Sequence, residues 1–179
     1  MAWLDPWGIR QKVKVTNNTG RYLYNYQILI ELTSSNFDFE NCKSDGSDIR
    51  FTESDGVTKL PFWIEKWDSE EKYARVWIRI FALPPLDSHI YLYYSNPEAE
   101  SESNGKLTFK FFDDFESDLN WESEWQSNNH ALYSTENGVL KLLNGGSTYS
   151  DCLNSQYQFK NGFAIEARVK TVGSEPCET

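Results

Sequence analysis

Apolar and polar residues along this chain alternate mainly with a period of two, and no stretch sustains the 3.6-residue period of an amphipathic helix. The alternation is clearest from Asp45 to Pro97, which reads as four short strands. Side chains of a strand point alternately to its two faces. Leu60, Phe62 and Ile64, then Val76, Ile78 and Ile80, then Ile90 and Leu92, therefore define an aliphatic face that is expected to be core. The opposite face carries Trp63, Glu65, Arg75, Trp77, Arg79, Tyr91 and Tyr93, a mixture of rings and charges that calls for its own explanation.

The flanking sequence follows the same rule. Ile9, Val13 and Val15 alternate with Arg10, Lys12 and Lys14, and Tyr24, Tyr26, Ile28, Ile30 and Leu32 share one side of the next run. Asn17-Asn18-Thr19-Gly20 lies between them, and these turn residues predict that the two runs pair as a hairpin. Asn17 to Thr19 also fits the N-glycosylation acceptor pattern, although the turn already accounts for those residues. Residues 37 to 43 are less regular, whereas Asp45-Gly46 and Asp55-Gly56 mark turns. Short strands at such spacing predict an all-β fold, a β-sandwich of jelly-roll type.

The polar, acidic stretch SNPEAESESNG, Ser95 to Gly105, looks like a boundary. It divides the chain into a first domain over residues 1–97, an acidic linker over 98–107 and a partial second β-sandwich over 108–179. In that last part an aromatic cluster at Phe109 to Glu116, a run from Gly138 to Leu143 and an alternating run from Phe163 to Thr171 suggest strands.

Charge and composition narrow the function classes. The net charge of −10 argues against nucleic acid, whose binding needs clustered Lys and Arg. The charge is uneven: residues 1–97 hold 11 basic and 13 acidic groups, and residues 98–179 hold 6 and 14. No apolar run approaches the length of a membrane span, and the opening AWLDPWGIRQ does not read as a charged-then-apolar leader. Aromatic residues make up 16% of the chain, with seven Trp and ten Tyr, more than a core of this size needs. Cys42, Cys152 and Cys177 lack metal-site spacing; in an oxidising compartment Cys152 and Cys177 could form one disulfide.

Several linked segments resemble a known family. Trp7-Gly8-Ile9-Arg10, Asp45 to Phe51, Leu60 to Glu65, Ala74 to Ile78 and Ile90 to Asn96 are similar in order and spacing to the DUF2341 domain, over roughly residues 6–97. That is a β-rich domain of unknown function in archaeal, bacterial and phage surface proteins. Ser95 stands where the family more usually has glycine. The segments Phe111 to Glu116, Asn137 to Leu140 and Gly162 to Val169, with Trp121, resemble the opening strands of a concanavalin A-like (laminin G-like) jelly roll. Some 70 residues after the boundary are too few for a whole one. This implies a fragment of a longer protein or completion by a partner strand.

The expected function is a non-catalytic recognition or adhesion module, extracellular, at a cell surface or on a virion, with a glycan or cell-surface polymer as ligand. Rings such as Trp63, Trp77, Tyr91 and Tyr93 stack on sugars, and Glu65, Arg75 and Arg79 beside them can fix hydroxyls. The alternatives are a structural assembly protein whose aromatic face packs on a neighbouring β-domain or subunit, and an accessory domain of a glycoside hydrolase. Asp48 and Arg50 share a strand face and are candidates for a structural ion pair with a neighbouring strand, through Glu65 or Arg75. Asp113, Asp114 and Glu116 are a weak candidate calcium set, and no cofactor is required. Carboxylate pairs abound in a chain with 27 acids, and the GxSxG, HExxH and phosphate-loop patterns are absent, so no catalytic activity is expected.

Overall fold

The computed structural model describes residues 2–119, 125–128, 132–143, 152–158, 164–165 and 167. It divides into two compact units, Met1–Asp114 and Phe115–Thr179. The described structure is nearly all antiparallel β.

In the first unit the strands are β1 (Ile9–Asn17), β2 (Leu23–Thr33), β3 (Arg50–Thr52), β4 (Lys59–Leu60), β5 (Phe62–Asp68), β6 (Tyr73–Leu83) and β7 (Leu86–Tyr94). A 3-10 turn, Phe39–Asn41, follows β2, and a single helical turn α1, Gly105–Thr108, follows β7. One sheet has the order β1-β7-β3-β4 and the other β2-β6-β5. They form a sandwich whose inner faces meet in one apolar cluster, with Phe51 of the first sheet packed 5.4 Å from Phe62 of the second. The predicted core face is here: Leu60, Phe62, Val76, Ile78, Ile80, Ile90 and Leu92 are all buried. Strict alternation places them there, as in aligned sandwiches generally.

The predicted β1–β2 hairpin does not form. β1 pairs with β7, β2 pairs with β6, and the two strands belong to different sheets. The corner between them is held by Asn17, which is buried. Its Nδ2 donates to the carbonyls of Arg21, Leu83 and Pro84, and its Oδ1 accepts from the backbone N–H and the hydroxyl of Thr19. These contacts turn the chain from one sheet into the other, where a hairpin would keep it in the same one. The same contacts occupy the amide that the glycosylation pattern would need.

The segment expected as a linker is part of the first unit. Asn104 N–H donates to Phe62 O at 2.8 Å, the Ser103 hydroxyl accepts from Ile64 N–H at 2.9 Å, and Gln27 Nε2 donates to Thr108 O at 3.0 Å. These bonds lay residues 103–112 as a strap across the outer face of β5 and β6. Ser95, in the position where glycine was expected, has φ 68°. That left-handed conformation explains why glycine suits the site.

In the second unit β8 (Trp125–Asn128) pairs with β11 (Cys152–Ser155), and β9 (Leu132–Glu136) pairs with β10 (Val139–Leu143), all antiparallel. The β9–β10 turn is Asn137-Gly138, both at positive φ, the chemistry of a two-residue hairpin. The Gly138 to Leu143 run is thus a strand. Trp121, His130, Glu166, Cys177, the side chain of Cys152 and most of the Phe163 to Thr171 run lie outside the described residues.

Candidate functional site

The seven residues expected on one aromatic face occupy two faces on opposite sides of the sandwich. Trp63, Glu65, Arg75, Trp77 and Arg79 are on the outer face of β5 and β6, whereas Tyr91 and Tyr93 are on the outer face of β7 in the other sheet. Alternation fixes which residues of one strand share a face, but not which sheet a strand joins. The single platform is therefore corrected to two surfaces.

On the first, Trp63 and Trp77 are cross-strand partners, and the strap fills the space above them. Phe112 meets Trp63 at 4.7 Å, and Phe109 meets Trp77 at 5.5 Å and Trp63 at 5.9 Å. Gly105 makes this possible, because a Cβ there would lie 2.2 Å from the Phe112 ring. A bulge in β5 between Ile64 and Lys66 sets Glu65 apart from its neighbours. Glu65 accepts from the Trp77 indole N–H at 2.9 Å and lies 3.4 Å from Arg75. Arg79 rests 5.7 Å from the Phe81 ring, and its buried Nε has no hydrogen-bond partner among the described residues.

The second surface is covered by the residues before β1. Tyr93 is fully buried; its hydroxyl donates to Gly56 O at 2.8 Å and Trp3 stands edge-on to its ring. The Arg10 guanidinium lies 4.3 Å from the Tyr91 ring and 4.5 Å from the Trp3 ring, a cation–π arrangement that closes this face.

Asp48 and Arg50 are both buried, and both are structural, but neither touches Glu65 or Arg75. Asp48 accepts from Cys42 Sγ, Lys43 N, Ser95 N and Asn96 N, and its carbonyl takes the Trp7 indole N–H at 2.6 Å. Burial and the adjacent Asp48 carboxylate push the Cys42 thiol far above its ordinary value, so it stays protonated as a donor. Arg50 donates to the carbonyls of Ser47, Ile49 and Glu100, and its Nε lies 3.1 Å from Glu102 Oε1 without aligning as a hydrogen bond. The expected pairing partner is thus corrected to Glu102, on the acidic segment that leads into the strap. Asp113 and Asp114 end the first unit and Glu116 opens the second; among the described residues no three acidic, His or Cys side chains gather as a metal site.

The concave surface lies elsewhere. Gln11, Ser34, Ser35, Asn36, Phe37, Asp38, Phe39, Glu40, Lys72 and Tyr94 line an open groove of about 670 Å³ at one end of the sandwich. That volume is within the roughly 300–1,000 Å³ of ligand clefts. Phe37 and Phe39 are buried, while Asp38 and Glu40 between and beside them are exposed. Aromatic rings thus back the groove and carboxylates rim it. Phe37 packs at 4.7 Å on Tyr94 and 4.8 Å on Phe39, with Trp67 behind both phenylalanines. Tyr94 is 5% exposed, and its hydroxyl has no hydrogen-bond partner among the described residues. Burial, with Asp38 and Cys42 nearby, raises the pKa of that phenol, so it remains a donor. Asp38 accepts from Asn41 Nδ2 at 2.7 Å and from Glu40 N at 3.1 Å. The Asn41 bond leads in holding its carboxyl below the usual range. Glu40 pairs with Lys72 at 2.6 Å.

Sequence reasoning passed over this groove because residues 37 to 43 lack regular periodicity. Its signal was the alternation of ring and acid in Phe37-Asp38-Phe39-Glu40.

The geometry of the described residues defines a β-sandwich module whose Trp63–Trp77 and Tyr91–Tyr93 surfaces carry covering segments and whose end holds an open groove. Residues 45–128, from the turn before β3 through β8, match the family described as a domain of unknown function, DUF2341. An uncharacterized protein of Methanocaldococcus jannaschii is 27% identical over 121 residues, which is 61% of this chain and 22% of that protein. The chain therefore spans less than a quarter of that relative's length. No solved structure matches the chain.

Proposed function

We propose that this chain is a non-catalytic recognition module that holds a glycan or cell-surface polymer in the groove at the end of its first sandwich. The observation that carries the reading is Tyr94, a nearly buried residue that lines the groove and whose hydroxyl has no hydrogen-bond partner among the described residues. A sugar hydroxyl entering the groove can take the place of solvent at this group. The module works outside the cell, at a surface or on a virion, and needs no bound cofactor. Its second unit is read as the start of a concanavalin A-like sandwich.

A second reading, assembly onto a neighbouring subunit, draws on the exposed Tyr22, Tyr24 and Tyr26 along the edge strand β2. A glycan array followed by calorimetric titration of soluble polysaccharides separates the two. Binding that Tyr94→Phe abolishes, with an unchanged melting midpoint, supports the groove. Silence on the array and in titration, with stable oligomers in solution, overturns it.

A further inference from the structure

The groove is asymmetric in charge. Asp38 and Glu40 place two carboxylates on its rim against one ammonium, that of Lys72, which is already drawn 2.6 Å from Glu40. Asp38 has no ion-pair partner among the described residues, and both its oxygens accept hydrogen bonds, from Glu40 N–H and Asn41 Nδ2. Its carboxylate stands exposed at the rim. The groove also offers uncharged groups, from Tyr94 and the exposed Ser34, each hydroxyl without a hydrogen bond of its own among the described residues.

Resting on the reading of the groove as a sugar site, we infer that it selects neutral sugar residues and rejects acidic ones, with Asp38 as the selecting charge. Neutral pyranoses bring hydroxyl groups that the Asp38 carboxylate can accept from and that the Tyr94 and Ser34 hydroxyls can pair with. A uronate, sialate or phosphate group brings a second negative charge beside Asp38. That repulsion is largest at low salt and is screened as salt is added.

The test uses the full chain with two probe sets at low salt and pH 7: neutral oligosaccharides (cello-, malto-, manno- and galacto-oligomers) and acidic ones (oligogalacturonate, oligoalginate and sialylated oligosaccharides). The expected result is that the best neutral ligand binds at least about tenfold more tightly than any acidic one. Asp38→Asn narrows that gap to within about threefold. A second variant guards against Asp38→Asn failing to fold. Lys72 has φ 53°, which Asn tolerates, so Lys72→Asn removes the one ammonium among the described residues of the groove with little backbone strain and should widen the gap. An acidic oligomer that binds as well as the neutral ones, or a gap that neither variant moves, overturns the selectivity while leaving the sugar site standing. If no member of either set binds, the sugar site falls and the selectivity with it.

Discussion

Trp63 and Trp77 on the outer face of β5 and β6, and Phe37, Phe39 and Tyr94 at the end of the sandwich, are built of the same materials: aromatic rings with charged groups beside them. They differ in what lies over them. The chain returns across the first with Phe109 and Phe112, stacked within 10° of parallel, and leaves Trp63 and Trp77 half-buried, whereas the rings of the second are buried in the core and only the acids and hydroxyls at its rim stay open. Neither ring content nor strand pattern distinguishes a ligand platform from a packing layer. The difference lies in whether a later segment brings matching rings, and whether a residue without a side chain, here Gly105, lets them settle. Polar groups show it as well. On the covered face the Trp77 indole is satisfied by Glu65, while in the groove the Tyr94 hydroxyl has no hydrogen-bond partner among the described residues.

This contrast can be broken at several points, and the largest effect is expected where the covering segment is pinned. Arg50→Ala removes a buried guanidinium that donates to the carbonyls of Ser47, Ile49 and Glu100 just before the strap, and the acceptors it leaves without a donor should cost roughly 2 to 4 kcal/mol in urea unfolding. A loss below about 1 kcal/mol would mean that the strap holds without this anchor. Gly105→Ala forces a methyl into the Phe112 ring and should cost about 1 to 3 kcal/mol, with rising Trp emission wavelength as Trp63 and Trp77 meet water. An unshifted spectrum would show the rings covered by another route.

Tyr94→Phe acts on the open side. It deletes a hydroxyl with no partner among the described residues, so stability should change by less than about 1 kcal/mol, while glycan affinity falls at least about tenfold. A large destabilisation would mean that the hydroxyl, like the ring, belongs to the packing of the core.

The smallest effect is in the acid limb of stability. Partial burial pushes the Glu102 carboxyl up, but Lys59 and Arg50 outweigh it and hold it below its ordinary value. A carboxyl lowered in the fold stabilises above its unfolded pKa, and that stability is lost as pH falls through the folded one. Glu102→Gln should therefore flatten the decline in melting temperature below about pH 4.5. A decline as steep as in the parent would assign it to other carboxylates, Asp38 at the groove among them.

Much of the sandwich was legible in the sequence, and for one reason. Leu60, Phe62, Val76, Ile78, Ile90 and Leu92 keep a strict period of two, and a strand buried on one face must keep it. Sheet membership left no such trace. Tyr91 and Trp77 alternate against the same kind of aliphatic partners, yet belong to opposite faces of the molecule. The β1–β2 corner was misread because Asn17-Asn18-Thr19-Gly20 has the composition of a hairpin turn, and the contacts that make it a corner come from Leu83 and Pro84, far along the chain. The segment before the strap was hidden by its own polarity. Glu100, Glu102 and Ser103 look solvated, but an acid, a hydroxyl and carbonyl groups are what Arg50 and the edge of β5 require. The groove was hardest of all, since it is assembled from an irregular loop, one residue of β1, Lys72 of the β5–β6 turn and the last residue of β7.

Asp48 has a consequence for the motions of the first unit. Its four side-chain bonds and its carbonyl join the chain at residues 7, 42–43 and 95–96, none of them adjacent in sequence. None of these stretches can open without stripping a buried carboxylate of partners. In the language of native-state hydrogen exchange they form one cooperative unit, whose amides at Lys43, Ser95 and Asn96 share a single opening free energy rather than three local ones.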